Sequence, residues 1–211
     1  VLNPINSIST GAQLLARRLG PDDPNAELIT RMEHDCQRLH HQMEALKSYS
    51  KPFDIFQEPV DLGALILRII ERWRPRFSRV NIIPVYQVPE NLPKVMGDWR
   101  ALEQVFTNLV SNATEAMSQN GGILSVKLDV TTDATGRKHI ETAVSDNGPG
   151  IPDEIRGRIF EPFVTTKQTG TGLGLAITKR NVTAHHGAIK VETFPGGTVF
   201  TVTIPTIKDE A

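Results

Sequence analysis

Along residues 1 to about 50, apolar positions recur every three or four residues, with almost no alternation of period two. Ile5, Ile8, Leu14, Leu15 and Leu19 fall on one helical face. The stretch from Gly20 to Pro24, rich in proline and aspartate, breaks the pattern. It resumes with Leu28, Met32, Cys36, Leu39, Met43 and Leu46, a heptad-like seam whose other faces are polar and charged. Two amphipathic helices joined by a short turn predict a helical hairpin over residues 1–50. So thin a hairpin cannot bury its apolar faces alone. Dimerisation into a four-helix bundle is therefore expected, with packing against the rest of the same chain as the alternative.

From Ser48 to Glu58 the periodicity lapses between Pro52 and Pro59, and residues 51–57 read as a linker. A second domain is expected over 58–208. Asp61 can cap a helix carrying Leu62, Leu65, Ile66, Ile69 and Ile70. Asn81 to Val88 alternates like a strand. Asp98 can cap another helix, with a buried stripe of Leu102, Val105, Leu109, Ala113 and Ala116, stopping at Asn120-Gly121-Gly122. Ile123–Thr131 and His139–Val144 read as strands around a turn at Thr135-Gly136. Ile177–His186 reads as a helix ended by Gly187. Ile189–Thr193 and Thr198–Ile204 form a last hairpin through Pro195-Gly196-Gly197. Helices mixed with mostly antiparallel strands predict an α+β chain: the hairpin, then a two-layer α/β sandwich.

The bulk numbers narrow the possibilities. The 211 residues suit one full domain and a smaller module, and 39% apolar residues supply a core. A net charge of −1 argues against nucleic-acid binding as the main role. The single cysteine, Cys36, excludes an internal disulfide framework and suits a reducing compartment. No apolar run reaches the roughly 20 residues of a membrane span, and no signal peptide is visible. The chain opens at Val1 in mid-pattern and reads as a fragment of something longer. This portion is expected in the cytoplasm, with any membrane anchor of the parent lying upstream.

Three segments carry candidate chemistry. On the helix after Asp98, Asn108, Asn112 and Glu115 share a face beside small alanines. An asparagine carbonyl suits Mg²⁺, a hard cation that keeps waters and phosphate oxygens as its other ligands. Alone, two asparagines are more often polar surface. Next, Asp146-Asn-Gly148-Pro-Gly150-Ile151 ends a strand. Asp146 can accept a hydrogen bond from an exocyclic amine such as that of adenine, and the glycines let backbone approach a flat base. Alone, this is a common turn. Third, Gly170-Thr171-Gly172-Leu173-Gly174 runs into a helix, whose free N–H groups and dipole favour phosphate. It lacks the lysine and hydroxyl of a P-loop and the preceding strand of a dinucleotide fold. Between the glycine boxes, Phe160 and Phe163 can pin a lid, and Lys167 can reach a terminal phosphate, although a lysine is usually solvated surface. Together the order and spacing suggest a nucleotide pocket.

The segments N-L-V-S-N-A-T-E-A, D-N-G-P-G-I-P, I-F-E-P-F-V-T-T-K and G-T-G-L-G-L-A-I, in this order, resemble the asparagine, first glycine, phenylalanine and second glycine boxes of sensor histidine kinases. His186-Gly187 and Gly197-Thr198-Val-Phe200 match the closing strands. The likeness covers residues 58 to about 206, and the short lid with its T-T-K most resembles the nitrogen-regulator type. The hairpin resembles the dimerisation and histidine-phosphotransfer domain. Asn3-Pro4 matches the end of that domain's H-E-x-x-[NT]-P motif, which puts the phosphoacceptor histidine two residues before Val1. None of His34, His40, His41, His139, His185 or His186 has the motif, so these read as surface or packing residues.

The resemblance implies ATP and Mg²⁺ as ligands, with Asn112 on the metal and Asp146 on adenine. Asn108 would sit near the phosphates, Gly170, Thr171, Gly172, Leu173 and Gly174 would wrap them, and Thr198 would lie behind the base. Glu115, Gly148, Gly150 and Ile151 join the nucleotide-binding set, and Lys167 the catalytic one. Asn3 would fall where bifunctional members orient a water against a phospho-aspartate. Implied partners are a response-regulator receiver domain and a second copy bound through the hairpin. Gyrase-like relatives carry a glutamate one turn before the metal asparagine. Asn108 stands there and cannot act as a general base, which predicts slow hydrolysis and transfer to histidine instead. The alternative is a nucleotide-binding signalling scaffold that performs no transfer.

Overall fold

The computed structural model describes residues 2–18, 23, 25–36, 55–167 and 170–207, apart from the side chains of residues 2–6, 17 and 18. Leu19, Leu39, Met43 and Leu46 of the expected seams, and residues 51–54 of the linker, lie outside the described residues. The chain divides into two compact units, Val1–Phe53 with Thr165–Leu173, and Asp54–Val164 with Gly174–Ala211.

In the first unit, α1 spans Leu2–Arg18, and residues 26–36 form α2. Asp23 organises the start of α2 by accepting the Asn25 N–H at 2.8 Å on its carboxylate. Ala12, Ile29 and Cys36 are buried, whereas Ile8, Leu14, Leu15, Leu28 and Met32 are each at least 41% exposed. The expected seam is thus mostly uncovered. Ile29, which the heptad reading passed over, is buried instead.

The second unit is a two-layer sandwich. Helices α3 (Leu62–Arg79), α4 (Trp99–Ala116) and α6 (Gly174–Ala184) pack with a five-stranded sheet, and a single turn, α5 (Asp153–Arg156), precedes α6. The strands are β2 (Ile82–Gln87), β4 (Gly122–Thr132), β5 (Lys138–Asp146), β6 (Ala188–Phe194) and β7 (Gly197–Pro205), in the order β2-β4-β5-β7-β6. Asp61 and Asp98 cap α3 and α4 as expected, Asp61 accepting from Ala64 N–H and Asp98 from Arg100 and Ala101 N–H. Leu62, Leu65, Ile66, Ile69 and Ile70 are all buried. Alternate residues of the central strands face the helices, among them Leu124, Val126, Ile140, Val144, Val202 and Ile204. A fully buried side chain of this kind contributes roughly 1.5–3 kcal/mol.

Some features were not readable from period alone. Three-residue strands β1 (Glu58–Val60) and β3 (Val95–Gly97) form a small antiparallel sheet. β2 runs parallel to β4 and lies at the sheet edge, the place in a sheet where a proline such as Pro84 is tolerated. On α4, Ala116 is exposed rather than part of the buried stripe, while Phe106 and Val110 are buried. α4 stops at Ala116, before the glycines. Gly121 has φ +69°, and a Cβ there would fall 2.6 Å from the Asn81 carbonyl oxygen. That glycine serves the approach to β2 rather than the helix stop. α6 begins three residues earlier than its apolar spacing suggested, at Gly174.

Candidate functional site

Asp146 ends β5 and is 7% exposed. Its Oδ1 accepts the Gly148 N–H at 2.9 Å. Burial pushes its carboxyl above the ordinary aspartate range, and the Gly148 N–H offsets part of that rise. A donor from a ligand would favour the ionised form further. The β5–β7 register sets Asp146 opposite Thr198, which is 4% exposed. Cross-strand partners share a face, so the acid and the hydroxyl residue stand side by side.

The first glycine box is held by the final hairpin. Gly150 has φ +83°, and a Cβ there would come within 2.7 Å of the Phe194 carbonyl oxygen. Ile151 N–H donates to Thr193 Oγ1 at 2.8 Å, and that hydroxyl donates to the Gly197 carbonyl at 3.2 Å. Gly148 is held between neighbours. A Cβ at this position would lie 3.1 Å from Ala116 Cβ, so the last turn of α4 abuts the glycine box. A cleft of about 510 Å³ opens beside this contact, with Glu115, Ala116, Asn147 and Gly148 in its lining.

Asn112 lies one turn before Ala116 on α4 and is half-buried. Glu115 is exposed and accepts from Ser111 Oγ at 2.9 Å. Asn108 is half-buried, and its amide nitrogen donates to the Gly174 carbonyl at 3.1 Å and to Thr178 Oγ1 at 3.4 Å. The asparagine thus fastens the first turn of α6 to α4. Gly174 itself has room for a side chain, since a Cβ there would lie 3.9 Å from its nearest neighbours, atoms of the Asn108 amide.

Lys167, Gly170, Thr171, Gly172 and Leu173 belong to the other unit. Lys167 is exposed, Gly172 takes φ +66°, and the Leu173 N–H donates to Thr171 Oγ1 at 3.4 Å. Asn3 lies in α1, and its side chain is outside the described residues. Of the two phenylalanines expected to pin the lid, Phe160 packs edge-on to Phe200 at 6.4 Å with Lys179 above it at 5.5 Å. Phe163 is 54% exposed and takes φ +68°.

Among the described residues no three His, Cys, Asp or Glu side chains cluster as cation ligands. The half-buried amide of Asn112 carries a neutral oxygen of the kind that suits Mg²⁺.

No motif covers a polar row that runs along α6 and ends at His185, the residue just past the helix. Thr178, Asn181 and His185 are all buried, and they were legible only as polar interruptions three and four residues apart on an otherwise apolar face. His185 is a packing residue, while His186 is exposed and takes φ +56° at the helix end.

A buried acid beside a threonine, a glycine box against a hairpin turn and an asparagine helix tied to the first turn of α6 belong to a two-layer fold of one known class. Residues 97–208 match the histidine kinase-, DNA gyrase B- and HSP90-like ATPase family, and the chain belongs to it. Within that family its relatives are sensor histidine kinases. It is 34% identical to the sensory histidine kinase/phosphatase NtrB of Azospirillum brasilense and 31% identical to NtrB of Rhodobacter capsulatus, over 100% of this chain in both cases. It spans 54% and 60% of those proteins' lengths. The histidine kinase ThkA, solved in complex with the response regulator TrrA, matches 100% of this chain and 60% of its own at a TM-score of 0.73 and 26% identity. Full-length ShkA in complex with AMPPNP matches at a TM-score of 0.69 and 26% identity, covering 99% of this chain and 44% of that one. Among the described residues no helix is long and apolar enough to cross a membrane.

Proposed function

We propose that the chain is the core of a protein histidine kinase that binds ATP in the second unit. The γ-phosphoryl group passes to the imidazole of a histidine upstream of Val1, with release of ADP, and then to an aspartate of a response-regulator receiver domain. The observation that carries this reading is Asp146, buried, with one oxygen held by Gly148 N–H and with Thr198 as its cross-strand neighbour. That arrangement recognises an exocyclic amine on a flat base. ThkA with its response regulator and ShkA with AMPPNP support regulator and nucleotide as ligands by likeness.

Asn112 would hold Mg²⁺, which supplies neutralisation of the phosphate charge when bound. Asp146 orients the base, and the first turn of α6, starting at Gly174, presents backbone N–H groups to the phosphates. The pocket performs no covalent chemistry of its own, so rate depends on positioning. Asn108 stands where a water-activating ATPase needs a general base, and its amide is committed to α6. This supports transfer over hydrolysis.

The exposed Ile8, Leu14, Leu15, Leu28 and Met32 favour a second copy packed on the hairpin as a four-helix bundle. The kinase/phosphatase names of the NtrB relatives favour a regulator-phosphatase role for Asn3. The test is incubation of a longer chain, extended upstream through the histidine, with labelled ATP. An acid-labile, base-stable phosphoprotein is expected. Binding of ATP without labelling would favour the signalling scaffold.

A further inference from the structure

His185 is a buried ring, 2% exposed, that the proposed mechanism does not use. Its Nε2 accepts the backbone N–H of Asp98 at 2.9 Å, and its Nδ1 lies 2.6 Å from the Asn181 carbonyl oxygen. The two contacts select one tautomer. A nitrogen facing an N–H must be bare, so the proton sits on Nδ1 and is donated to Asn181. Gly97 makes space for the ring, since a Cβ there would fall 2.5 Å from His185 Cδ2.

Asp98 is where several paths meet. Its Oδ1 caps α4 by accepting from Arg100 and Ala101 N–H, and its Oδ2 accepts the Phe56 N–H at 3.2 Å. Phe56 belongs to the segment read as the linker. One residue therefore joins the linker's arrival, the start of α4 and, through His185, the end of α6. Asn181 reinforces the join by donating to Ala101 O and Gln104 Oε1, each at 3.2 Å. At its other end α6 is held by Asn108 through Gly174 and Thr178.

α6 has 11 residues, about 16 Å of stiff rod. A rod held at its last turn fixes where its first turn points, and that first turn carries the last glycine of the second box. α4 carries the asparagines. We propose that His185 is a positioning residue for phosphoryl transfer: it fixes α6 against the start of α4 and couples that joint to the linker at Phe56. This rests on the kinase reading above. Asp146, Gly148 and Thr198, which would hold the base, lie outside this network, so nucleotide affinity and transfer rate separate.

The experiment uses the chain extended upstream to include the phosphoacceptor histidine. His185→Asn keeps a donor near Nδ1 and loses the acceptor toward Asp98, whereas His185→Gln keeps an acceptor near Nε2. Phe56→Pro removes the N–H that Asp98 accepts, at a side chain that is 84% exposed and so adds little to stability. Autophosphorylation kcat is expected to fall roughly tenfold in His185→Asn and in Phe56→Pro, with the KM for ATP within twofold of the parent. His185→Gln is expected to recover most of the rate. The double variant His185→Asn with Phe56→Pro is expected to lose little beyond either single change, because both cut one path. Independent, additive losses would overturn the proposal. So would an unchanged kcat in Phe56→Pro, or a rise in KM at constant kcat. A parent chain that binds no ATP would instead overturn the kinase reading itself, and this proposal with it.

Discussion

Replacing Asp146 by asparagine separates what the fold prefers from what the site requires. Oδ1 of Asp146 holds the Gly148 N–H at 2.9 Å, so in Asp146→Asn the amide oxygen must keep that position. The amide nitrogen then occupies the place of Oδ2 and turns a donor toward the adenine amine. The complex loses a charge-assisted hydrogen bond and gains two opposed donors at a residue only 7% exposed. Together these cost about 3 kcal/mol, roughly a hundredfold in Kd. Stability of the free domain moves the other way. Burial raises the Asp146 carboxyl in the folded state, so folding favours its protonated form. Asp146 therefore costs no stability below the unfolded carboxylate range. A penalty grows as pH rises through the raised folded value and is complete above it. Asparagine avoids that penalty, so at neutral pH the variant should unfold at a higher temperature than the parent, and the gain should vanish in acid. Calorimetric titration with ATP and with inosine triphosphate, alongside thermal unfolding across pH, reads both effects. The carbonyl of hypoxanthine suits the new donor, so the preference for ATP should narrow. Unchanged ATP affinity, or a variant less stable at neutral pH, would refute the reasoning.

Gly174→Ala should leave the denaturation midpoint unchanged or raise stability by up to about 1 kcal/mol, because a methyl finds space and alanine favours helix. The same change should slow autophosphorylation of the upstream-extended chain roughly tenfold, read as kcat, because a methyl crowds the turn that faces the phosphates. Thr142→Val should stabilise the second unit by about 1 kcal/mol in urea unfolding, since the buried Thr142 hydroxyl has no hydrogen-bond partner among the described residues; its ATP affinity should not change. Asn112→Ala should abolish the Mg²⁺-dependent part of ATP binding, which titration with and without the metal would show. Asn3→Ala should spare autophosphorylation but slow dephosphorylation of the regulator, measured as decay of labelled receiver domain.

Much of the fold around the candidate site could be read before any tertiary contact was known. Asp61 and Asp98 are capping residues by short-range chemistry, and both cap in the structure. The apolar spacing after each aspartate identified α3 and α4, because a face that must be buried repeats with the helix period. The glycine boxes were legible as loops, and Gly150 does need the positive φ that glycine permits. Glu115 and Lys167 were named from position in a motif, and both are exposed. Ala116 was assigned to the core from its spacing, yet it lies at the end of α4 beside Gly148. Helical phase alone does not say where a covering element stops.

The chain's own periodicity and turn chemistry determined the elements, the order of the boxes and the candidate acid at the end of β5, all set by interactions between residues near in sequence. The tertiary structure decided which distant groups meet. It set Asp146 opposite Thr198, a pairing fixed by strand register. It joined β2 to β4 in parallel, which no local pattern specifies. It turned Asn108 toward Gly174 and Thr178, and it buried His185 between Asp98 and Asn181. Polar side chains find such partners only once burial has removed water as the competitor, and burial belongs to the assembled domain rather than to any one segment.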